Sequence, residues 1–492
     1  MDVGTAELGA IAGAAGAVLV LTAGRRATLI GGFTLLAFAE AALVGSLAVA
    51  DRLASPTFAA LGLAGFVVVA ATAAVLARRP TFVLPLVLAA APFRLPLDFG
   101  REHRFFVALA EPGQLGRLLP LYGVLGAAAA LLLWQTTRSG TVRVLPRLIA
   151  WPAAAFLALA CVSLLWSDDV HAGTNLLAYF LLPFAVLVAV VGRADVTPGL
   201  PRALAIVGAG LGCVFAVIGL VQAATGTLLF YAPNLEVSNS YSTYFRVTSL
   251  FRDPSVYGRH VALAIGVVLV AVWVHRVNFW LATGLVALMW AGLYFSYSQS
   301  SFVALFVATA WIVVVTGGRR ARRLVVGAAA AAVVGAAVLS AAALAGSSAK
   351  KVTSDRSRRV ELTARVYKAH PVVGVGLGAQ PLETQHVAVR KGPVPRFVSH
   401  TTPLTVAAEL GTIGVLLYGL LLAAAIAAVA RVRRRDAAVG IALGATLLAL
   451  FVHSLFYSGF FEDPVTWFAL GLAAAYLAAP RPFDTAATAA TA

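Results

Sequence analysis

The chain consists of long apolar stretches that are separated by short polar connections. Fifteen stretches approach the length of about 20 residues that a helix needs to cross a bilayer. The strands of a membrane β-barrel alternate apolar and polar residues, whereas these stretches show no such alternation. The apolar segments span residues 8–24, 27–50, 56–77, 81–97, 115–134, 148–166, 172–192, 200–224, 258–275, 278–295, 301–316, 324–346, 402–430, 437–460 and 464–479. This pattern predicts an all-α, polytopic integral membrane protein with about 12 to 15 transmembrane helices.

The composition excludes several other classes of protein. Hydrophobic residues make up 61% of the chain and charged residues only 12%, whereas a soluble domain has roughly 25% charged residues. The mean hydropathy is +0.91. The only cysteines, Cys161 and Cys213, lie within apolar segments and are too few for a disulfide framework or a zinc site. A soluble enzyme, a disordered chain and a disulfide scaffold are therefore excluded.

The net charge of +17 is distributed along the chain in a regular way. Most arginines outside the long connections fall in every second short connection, for example Arg78 and Arg79 or Arg433 to Arg435, and the alternate connections are acidic. Because cytoplasmic loops are enriched in Lys and Arg, we expect the N-terminus outside and the C-terminus inside. The charge reflects membrane topology, so no nucleic-acid partner is expected.

Three longer connections, 98–114, 225–257 and 347–401, fall on the predicted outer side and contain further Lys and Arg residues. Topology does not require positive charge there, and long connections are usually functional. We therefore expect an anionic ligand at the outer surface of the membrane. The predicted organisation is a set of N-terminal transmembrane helices (1–240), a region with the candidate motifs and the long, partly helical outer loop (241–480), and a disordered cytoplasmic tail (481–492).

The first motif is Arg246-Val-Thr-Ser-Leu-Phe-Arg252-Asp253-Pro254-Ser, which precedes an apolar segment. Asp253 followed by Pro254 predicts the start of a helix. The free N–H groups of a helix start attract anions, and Arg246 and Arg252 would add charged donors. Alternatively, both arginines extend to the membrane interface and have no binding role.

The second motif, residues 355–371, has the charge pattern of an amphipathic helix that ends before Pro371. At least one of its arginines is a candidate to bind the anionic ligand, although these charges could equally face solvent or lipid headgroups. The candidates are Arg356, Arg358, Arg359 and Arg365. The glycine alternation at 374–378 follows no predicted strand, so it favours a tight turn over a dinucleotide fingerprint.

The third motif contains His400, at the end of the long outer loop, and Glu409, within the next apolar segment. A histidine at the membrane boundary can act as a base near neutral pH, and neighbouring arginines would keep it neutral by lowering its pKa. A carboxylate inside a membrane segment is a functional candidate that needs a cationic partner. His400 could instead be an interfacial residue, and Glu409 could form a structural ion pair. No set of residues has metal-ligand spacing, and we predict no metal and no cofactor.

Together these motifs resemble the O-antigen ligase/O-antigen polymerase family of bacterial membrane glycosyltransferases. The residues that carry the resemblance are Arg246-Val-x-Ser-x-Phe251-x-Asp253-Pro254-Ser, His370-Pro371-Val-Val-Gly374-Val-Gly376-x-Gly378 and His400-x-x-x-Leu404-x-x-x-x-Glu409-x-Gly411-x-x-Gly414. The chain departs from the family pattern at Thr401, where Asn is frequent, and at Ser301, where Arg is frequent. The resemblance covers residues 240–465 and implies an architecture of the GT-C type.

The resemblance implies a metal-independent transferase of the bacterial cytoplasmic membrane with its active site on the outer, periplasmic face. Its partners would be a polyprenyl-diphosphate-linked glycan donor, a glycan or glycolipid acceptor, and membrane lipid. His400 would be the base, and arginines would stabilise the departing diphosphate. The sequence does not distinguish a ligase from a polymerase. A transporter or flippase of lipid-linked glycans is the alternative, and it would predict inverted repeats, broken helices and midplane charges. The sequence contains no repeat, and its charges cluster on one side of the membrane, which disfavours this alternative.

Overall fold

The computed structural model describes residues 2–47, 56–93, 118–230, 233–274, 277–346, 356–388, 399–457 and 461–480. Within these ranges the chain forms helices and no β-strand. The predicted outer connection 98–114, the predicted tail 481–492, and parts of the long outer loop lie outside the described residues. The all-α membrane fold predicted from the apolar pattern is confirmed.

The helices follow the predicted apolar segments closely. In the first half of the chain they are α1 (Val3–Thr22), α2 (Arg26–Ser46), α3 (Pro56–Arg78), α4 (Val83–Ala90), α5 (Leu119–Ser139), α6 (Arg147–Val162), α7 (Val170–Leu176), α8 (Leu182–Arg193) and α9 (Leu200–Thr225). The second half contains α10 (Pro233–Tyr241), α11 (Pro254–Trp273), α12 (Phe279–Tyr294), α13 (Gln299–Thr316), α14 (Arg319–Gly346), α15 (Arg356–Ala369), α16 (Gln380–His386), α17 (Thr402–Arg435), α18 (Ala437–Ser454) and α19 (Pro464–Ala478). Each of the fifteen predicted segments falls on at least one helix.

Fewer helices than segments are long enough to cross a membrane. Among the described residues, ten helices qualify by length and apolar composition, or eleven if one bent pair is a single span. That pair, Gly62–Arg78 and Pro80–Ala90, bends by 117° because the residue before a proline disfavours the helical conformation. The apolar helices α12 and α19, with 16 and 15 residues, fall short of that length. Hydropathy alone does not reveal such bends and early helix ends.

Helices from the two halves of the chain pack against one another. Helix α1 packs against α2 and α6, α6 packs against α17, and α8 packs against α19. Gly16 and Gly32 allow the backbones of α1 and α2 to approach closely, as is common where helices meet in lipid. A second apolar core joins α9, α11, α12 and α13 around Tyr257 and Phe215. The division near residue 240 remains a prediction.

Two arginines anchor one end of the helical bundle through backbone carbonyl groups. Buried Arg193 donates hydrogen bonds to the carbonyl oxygens of Val20 at 2.9 Å and Arg143 at 3.0 Å. Arg435, at the C-terminus of α17, donates to the carbonyl oxygen of Tyr476 at 2.8 Å. These contacts satisfy carbonyl groups that helix ends leave unpaired. Helix α17 runs from this end towards His400 at its other end.

Helix α17 is interrupted at Gly411, whose φ of 63° and ψ of −164° are not helical. The loop that follows α15 lies beside this break and restores the missing backbone hydrogen bonds. These bonds run from Thr412 N to Pro371 O at 2.8 Å, from Ile413 N to Val372 O at 3.3 Å, from Val375 N to Ala408 O at 3.0 Å and from Gly376 N to Glu409 O at 2.9 Å. Because lipid offers no alternative partners, the break and the loop stabilise each other.

The glycine alternation of this loop is a close-packed turn. Gly374, Gly376 and Gly378 all have positive φ values, and each lies directly against the backbone of another segment. A Cβ atom at any of these positions would collide with that backbone. The turn predicted from the sequence is thus present, and it holds the outer loop against α17.

We predict that Gly411→Ala destabilises the protein. Its backbone conformation is almost exclusive to glycine and costs other residues about 1–3 kcal/mol, and the added methyl group would meet the Val372 carbonyl. A lower melting temperature in detergent is the expected result. Gly419→Ala is the matched control, because Gly419 lies in the same helix with open space around it. Equal melting temperatures for the two variants would contradict this account of the break.

Candidate functional site

Several chain segments meet at the end of the bundle where α11 and α17 begin. The backbone N–H of Val247 donates to the carbonyl oxygen of Phe295 at 3.1 Å, which joins the loop before α11 to the turn before α13. The hydroxyl of Tyr457, which follows α18, donates to Asp253 Oδ2 at 3.1 Å. His400 lies close enough to Asp253 for that carboxylate to act on its protonation. The first and third sequence motifs therefore lie at the same end of the bundle.

Arg246 is held through its backbone and through one side-chain nitrogen. Asn239 accepts a hydrogen bond from Arg246 N at 3.1 Å and donates one to Arg246 O at 3.0 Å. The guanidinium Nε donates to the carbonyl oxygen of Ser296 at 3.3 Å. No hydrogen bond or ion pair joins its two Nη atoms to another residue within the described ranges. This half-buried guanidinium thus has two donor groups available for an anion.

Gln222, at the end of α9, fixes the loop that follows Arg246. Its buried side chain accepts hydrogen bonds from Thr248 N at 3.0 Å and Ser249 N at 2.7 Å, and it donates to Ser249 O at 3.0 Å. Ser249 has a φ of 52°, which is unusual for a residue other than glycine. The amide of Gln222 supplies both a donor and an acceptor, so it can bind both N–H and carbonyl groups of this strained loop.

Asp253 and Pro254 begin α11, as predicted, but Asp253 itself occupies the helix start. Its Oδ1 accepts from the backbone N–H groups of Ser255 at 2.6 Å and Val256 at 3.3 Å. The expectation that these free N–H groups attract an external anion is therefore wrong, because the cap residue already supplies the negative charge. Arg252, directly before the cap, also interacts with other residues.

His400 contacts an arginine of the amphipathic helix α15. Arg359 Nη1 lies 2.7 Å from His400 Nε2. Because a guanidinium can only donate a hydrogen bond, Nε2 must be the acceptor and must carry no proton. In the neutral imidazole the proton then lies on Nδ1. The lone pair that would make His400 a base is therefore directed at Arg359.

Helix α15 divides its arginines between two environments. Arg359 shares one face with the buried residues Leu362, Thr363 and Val366, which turns it towards His400. Arg365 is exposed and forms an ion pair with Glu361 at 2.6 Å, a kind of surface pair that contributes little stability. The helix boundaries agree with the prediction. Among the candidates that the sequence left open, Arg359 is the one in contact with His400.

The remaining two arginines of α15 lie near its start. The positive charge of Arg356 acts on His400, although its side chain is exposed and no hydrogen bond or ion pair to it is found among the described residues. Arg358 is half-buried and interacts with other residues. Arg356 is thus the second cation of this helix whose charge reaches His400.

A buried polar network connects the backbones of Arg359 and His400. Gln380 Oε1 accepts from the N–H of Ser399 at 3.1 Å, and its Nε2 donates to Thr363 Oγ1 at 3.1 Å. Thr363 in turn donates to the carbonyl oxygen of Arg359 at 2.8 Å. Gln380, Thr363 and Ser399 are fully buried, and satisfied networks of this kind hold their members rigidly. The network therefore sets the separation of Arg359 and His400.

Glu409, in α17, contacts the backbone of the segment that contains Gln380. Its buried carboxylate accepts hydrogen bonds from the backbone N–H groups of Gly378 and Gln380. Within the described residues no hydrogen bond joins it to His400. Two backbone donors, rather than the cationic partner expected from the sequence, contact this buried carboxyl group.

The surroundings of His400 keep its imidazole neutral. Burial makes the largest contribution to lowering the pKa of His400 below its ordinary value of 6.5, because a charged ring is poorly solvated there. The positive charges of Arg359 and Arg356 lower the pKa further, and Asp253 opposes them. The neutral state expected from the sequence agrees with this direction.

Three of these supporting contacts were not predicted from the sequence: those of Gln222, those of Gln380, and that of Tyr457 with Asp253. A polar amide inside an apolar segment is a signal that could have pointed to Gln222, since such groups are costly in lipid unless bonded. Gln380 had no such signal, because its partners are distant in sequence. No group of three or more His, Cys, Asp or Glu residues able to hold a metal ion occurs among the residues that the structure describes.

We predict that His400 titrates below 6.5 and that Arg359→Gln raises its pKa, because the substitution removes a neighbouring positive charge. NMR of protein labelled at histidine measures both values, and His400→Gln assigns the signal. Arg365→Gln is the control, since Arg365 pairs with Glu361 on the exposed face. A pKa that Arg359→Gln leaves unchanged would refute the proposed electrostatic control.

One segment of the chain matches a known protein family. Residues 284–419 match the family model described as O-antigen ligase. This segment extends from α12 into α17 and contains Arg359, Gln380, His400 and Glu409, whereas Arg246 precedes it. A search of curated proteins found no match. The resemblance to the O-antigen ligase/polymerase family is thus confirmed by the match over residues 284–419.

Proposed function

We propose that the protein transfers a glycan from a polyprenyl-diphosphate donor to a hydroxyl group of a glycan or glycolipid acceptor, without a metal ion and with inversion. The observation that carries this proposal is the contact between His400 Nε2 and Arg359, at the same end of the bundle as Arg246. A neutral histidine and guanidinium groups are the chemical parts that such a transfer needs. The O-antigen ligase domain supports a membrane glycan transfer in general.

Arginines suit the diphosphate because its oxygen atoms accept paired, charge-assisted hydrogen bonds. As the bond between the sugar and the diphosphate breaks, negative charge grows on the leaving oxygen. Arg246 and Arg359 would stabilise that charge in the way that a divalent cation does in other transferases. Arg356, which is exposed, adds a third cation. Arg252, Arg358 and Arg365 remain further candidates for binding the donor.

His400 is our candidate for the general base. The acceptor hydroxyl attacks the anomeric carbon, the new glycosidic bond forms, and the hydroxyl proton moves to His400 Nε2. The bond to the diphosphate breaks on the opposite side of the sugar, and polyprenyl diphosphate leaves. Direct attack of this kind inverts the configuration of the anomeric carbon. Because Nε2 accepts a hydrogen bond from Arg359, that contact must break before Nε2 can accept the proton.

Donor binding offers a reason for Arg359 to leave His400. The guanidinium is attracted by the negative charge of a diphosphate, which a neutral imidazole does not carry. The diphosphate would therefore compete successfully with a neutral imidazole for the guanidinium. Gln380 and Glu409 hold the backbone positions during this exchange, so we assign both to positioning rather than to proton transfer.

The distribution of charge supports an orientation for the protein in the cytoplasmic membrane of a bacterium. Arg193 and Arg435 anchor the end of the bundle opposite to His400. The alternation of the spans places the start of α14, with its basic run Arg319 to Arg323, at that same end. Under the positive-inside rule that end faces the cytoplasm. His400 then faces the periplasm, where lipid-linked glycans are accessible, with the N-terminus outside and the C-terminus inside.

We predict that Arg246→Ala weakens binding of polyprenyl diphosphate roughly tenfold to a hundredfold, the effect of losing one or two charged hydrogen bonds. Arg246→Lys should restore part of the binding, because a point charge replaces a two-pronged donor. Native mass spectrometry of the purified protein measures the bound fraction. Arg320→Ala, exposed at the start of α14, is the control. Equal binding by Arg246→Ala and wild type would remove Arg246 from the donor site.

His400→Gln is expected to lower glycan transfer by about 10²- to 10⁴-fold, the usual contribution of a general base, while binding of polyprenyl diphosphate persists. The assay incubates purified protein with lipid-linked glycans and acceptor from the organism that makes it, and gels resolve the products. A single addition indicates a ligase and a ladder indicates a polymerase. Full transfer by the variant would exclude His400 as the base.

The transporter alternative makes a different prediction. It would be favoured if the wild-type protein moved the lipid across the membrane of vesicles without transferring the glycan.

A further inference from the structure

An aromatic cluster lies beside Arg246 at the same end of the bundle. The rings of Tyr244 and Tyr297 have centroids 4.5 Å apart at 35°, and Tyr294 continues the cluster at 5.5 Å from Tyr297. Trp290 stacks against Tyr294 at 6.0 Å. Although the rings touch one another, Tyr244 and Tyr294 are each 45% exposed. The cluster is thus an open surface of ring faces rather than part of a core.

Two connections place this surface next to the guanidinium group of Arg246. Tyr244 precedes Arg246 by two residues in the same loop. Tyr297 follows Ser296, whose carbonyl oxygen accepts the hydrogen bond from Arg246 Nε. The two tyrosines therefore come from separate connections that meet at the arginine. A ligand on the Nη atoms of Arg246 would therefore lie close to the residues that carry both rings.

Tyr297 adopts a backbone conformation that is unfavourable for its residue type. Its φ is 47°, in the left-handed region that bulky side chains rarely adopt. The backbone turn is closed by a hydrogen bond from Tyr297 N to the carbonyl oxygen of Tyr294 at 3.1 Å, and the two side-chain hydroxyl groups also interact. Conformations of this kind concentrate at functional sites, and here the result is that the ring meets Tyr244.

The aromatic belt of membrane proteins accounts for only part of this cluster. Tyr and Trp residues are common where helices reach the membrane interface, and Trp290 and Tyr294 at the end of α12 fit that description. Tyr244 and Tyr297 lie in connections, and their pairing requires a strained backbone at Tyr297. An interfacial anchor has no need for such a conformation.

We propose that Tyr244 and Tyr297 form a platform for the sugar residue that is attached directly to the donor diphosphate. One face of a sugar ring consists of C–H groups, which pack against the negative face of an aromatic ring. With the diphosphate on Arg246, the first sugar is the part of the donor that lies within reach of the two rings. This inference rests on the proposed function and adds a binding subsite for the glycan.

The experiment compares polyprenyl diphosphate without a glycan and diphosphate-linked glycolipids extracted from the organism that makes the protein. Tyr297→Gly removes the ring and suits the positive φ, so the variant should be at least as stable as wild type. Tyr244→Ala removes the second ring independently. Tyr297→Phe and Tyr244→Phe keep the ring faces. Tyr241→Ala is the control, because Tyr241 is 88% exposed and lies three residues from Tyr244.

We expect Tyr297→Gly and Tyr244→Ala to bind the glycan-bearing lipid about tenfold more weakly, as for the loss of a well-packed aromatic contact. Their binding of the lipid without a glycan should equal that of wild type. Both Phe variants and Tyr241→Ala should behave as wild type with both lipids. If the ring-removing variants also bind the glycan-bearing lipid as wild type does, the cluster is an interfacial anchor and the proposal is wrong.

A second probe separates this inference from the proposed function. Glycan released from the same lipids by mild acid is tested for binding by saturation-transfer NMR. If polyprenyl diphosphate fails to bind wild type but the free glycan binds and depends on both rings, the platform stands and the diphosphate assignment fails. If the free glycan and the glycan-bearing lipid bind with no dependence on the rings, the platform is overturned whatever happens to the diphosphate.

Discussion

The arrangement around His400 depends on the break in helix α17 and on the loop that fills it. In a bilayer an unpaired backbone group costs several kcal/mol, so a helix can open at Gly411 only where other backbone groups replace its hydrogen bonds. Loop residues 371–376 supply those groups. The loop is thereby fixed against α17, and α16 and α15 are brought to the end of the bundle where His400 lies.

The two cationic parts of the site have separate supports. Arg246 is held by Asn239 and by the turn before α13, while Gln222 fixes the strained residues that follow it. Arg359 is held through the buried network of Gln380, which Glu409 supports from α17. Rigid supports of this kind keep charged side chains oriented towards a ligand. The buried polar residues of this region serve to position the charges.

The proximity of arginines to His400 has two consequences that reinforce one another. Positive charge disfavours the protonated imidazole, so His400 stays neutral and able to accept a proton. The same charge attracts an anionic leaving group. Both consequences involve the guanidinium of Arg359. It donates a hydrogen bond to His400 Nε2, the nitrogen that would accept the proton in catalysis. A transfer mechanism built on these residues therefore includes an exchange of partners at Arg359.

The sequence by itself determined the helical membrane fold, the start of α11 at Asp253 and the extent of α15, because these follow from local hydropathy and capping. It also placed His400 and several arginines among the candidates. It could not select Arg359 from its neighbours or find Gln380. Those outcomes were decided by the tertiary structure, since they depend on hydrogen bonds between segments far apart in the chain, and on which face of a helix meets them.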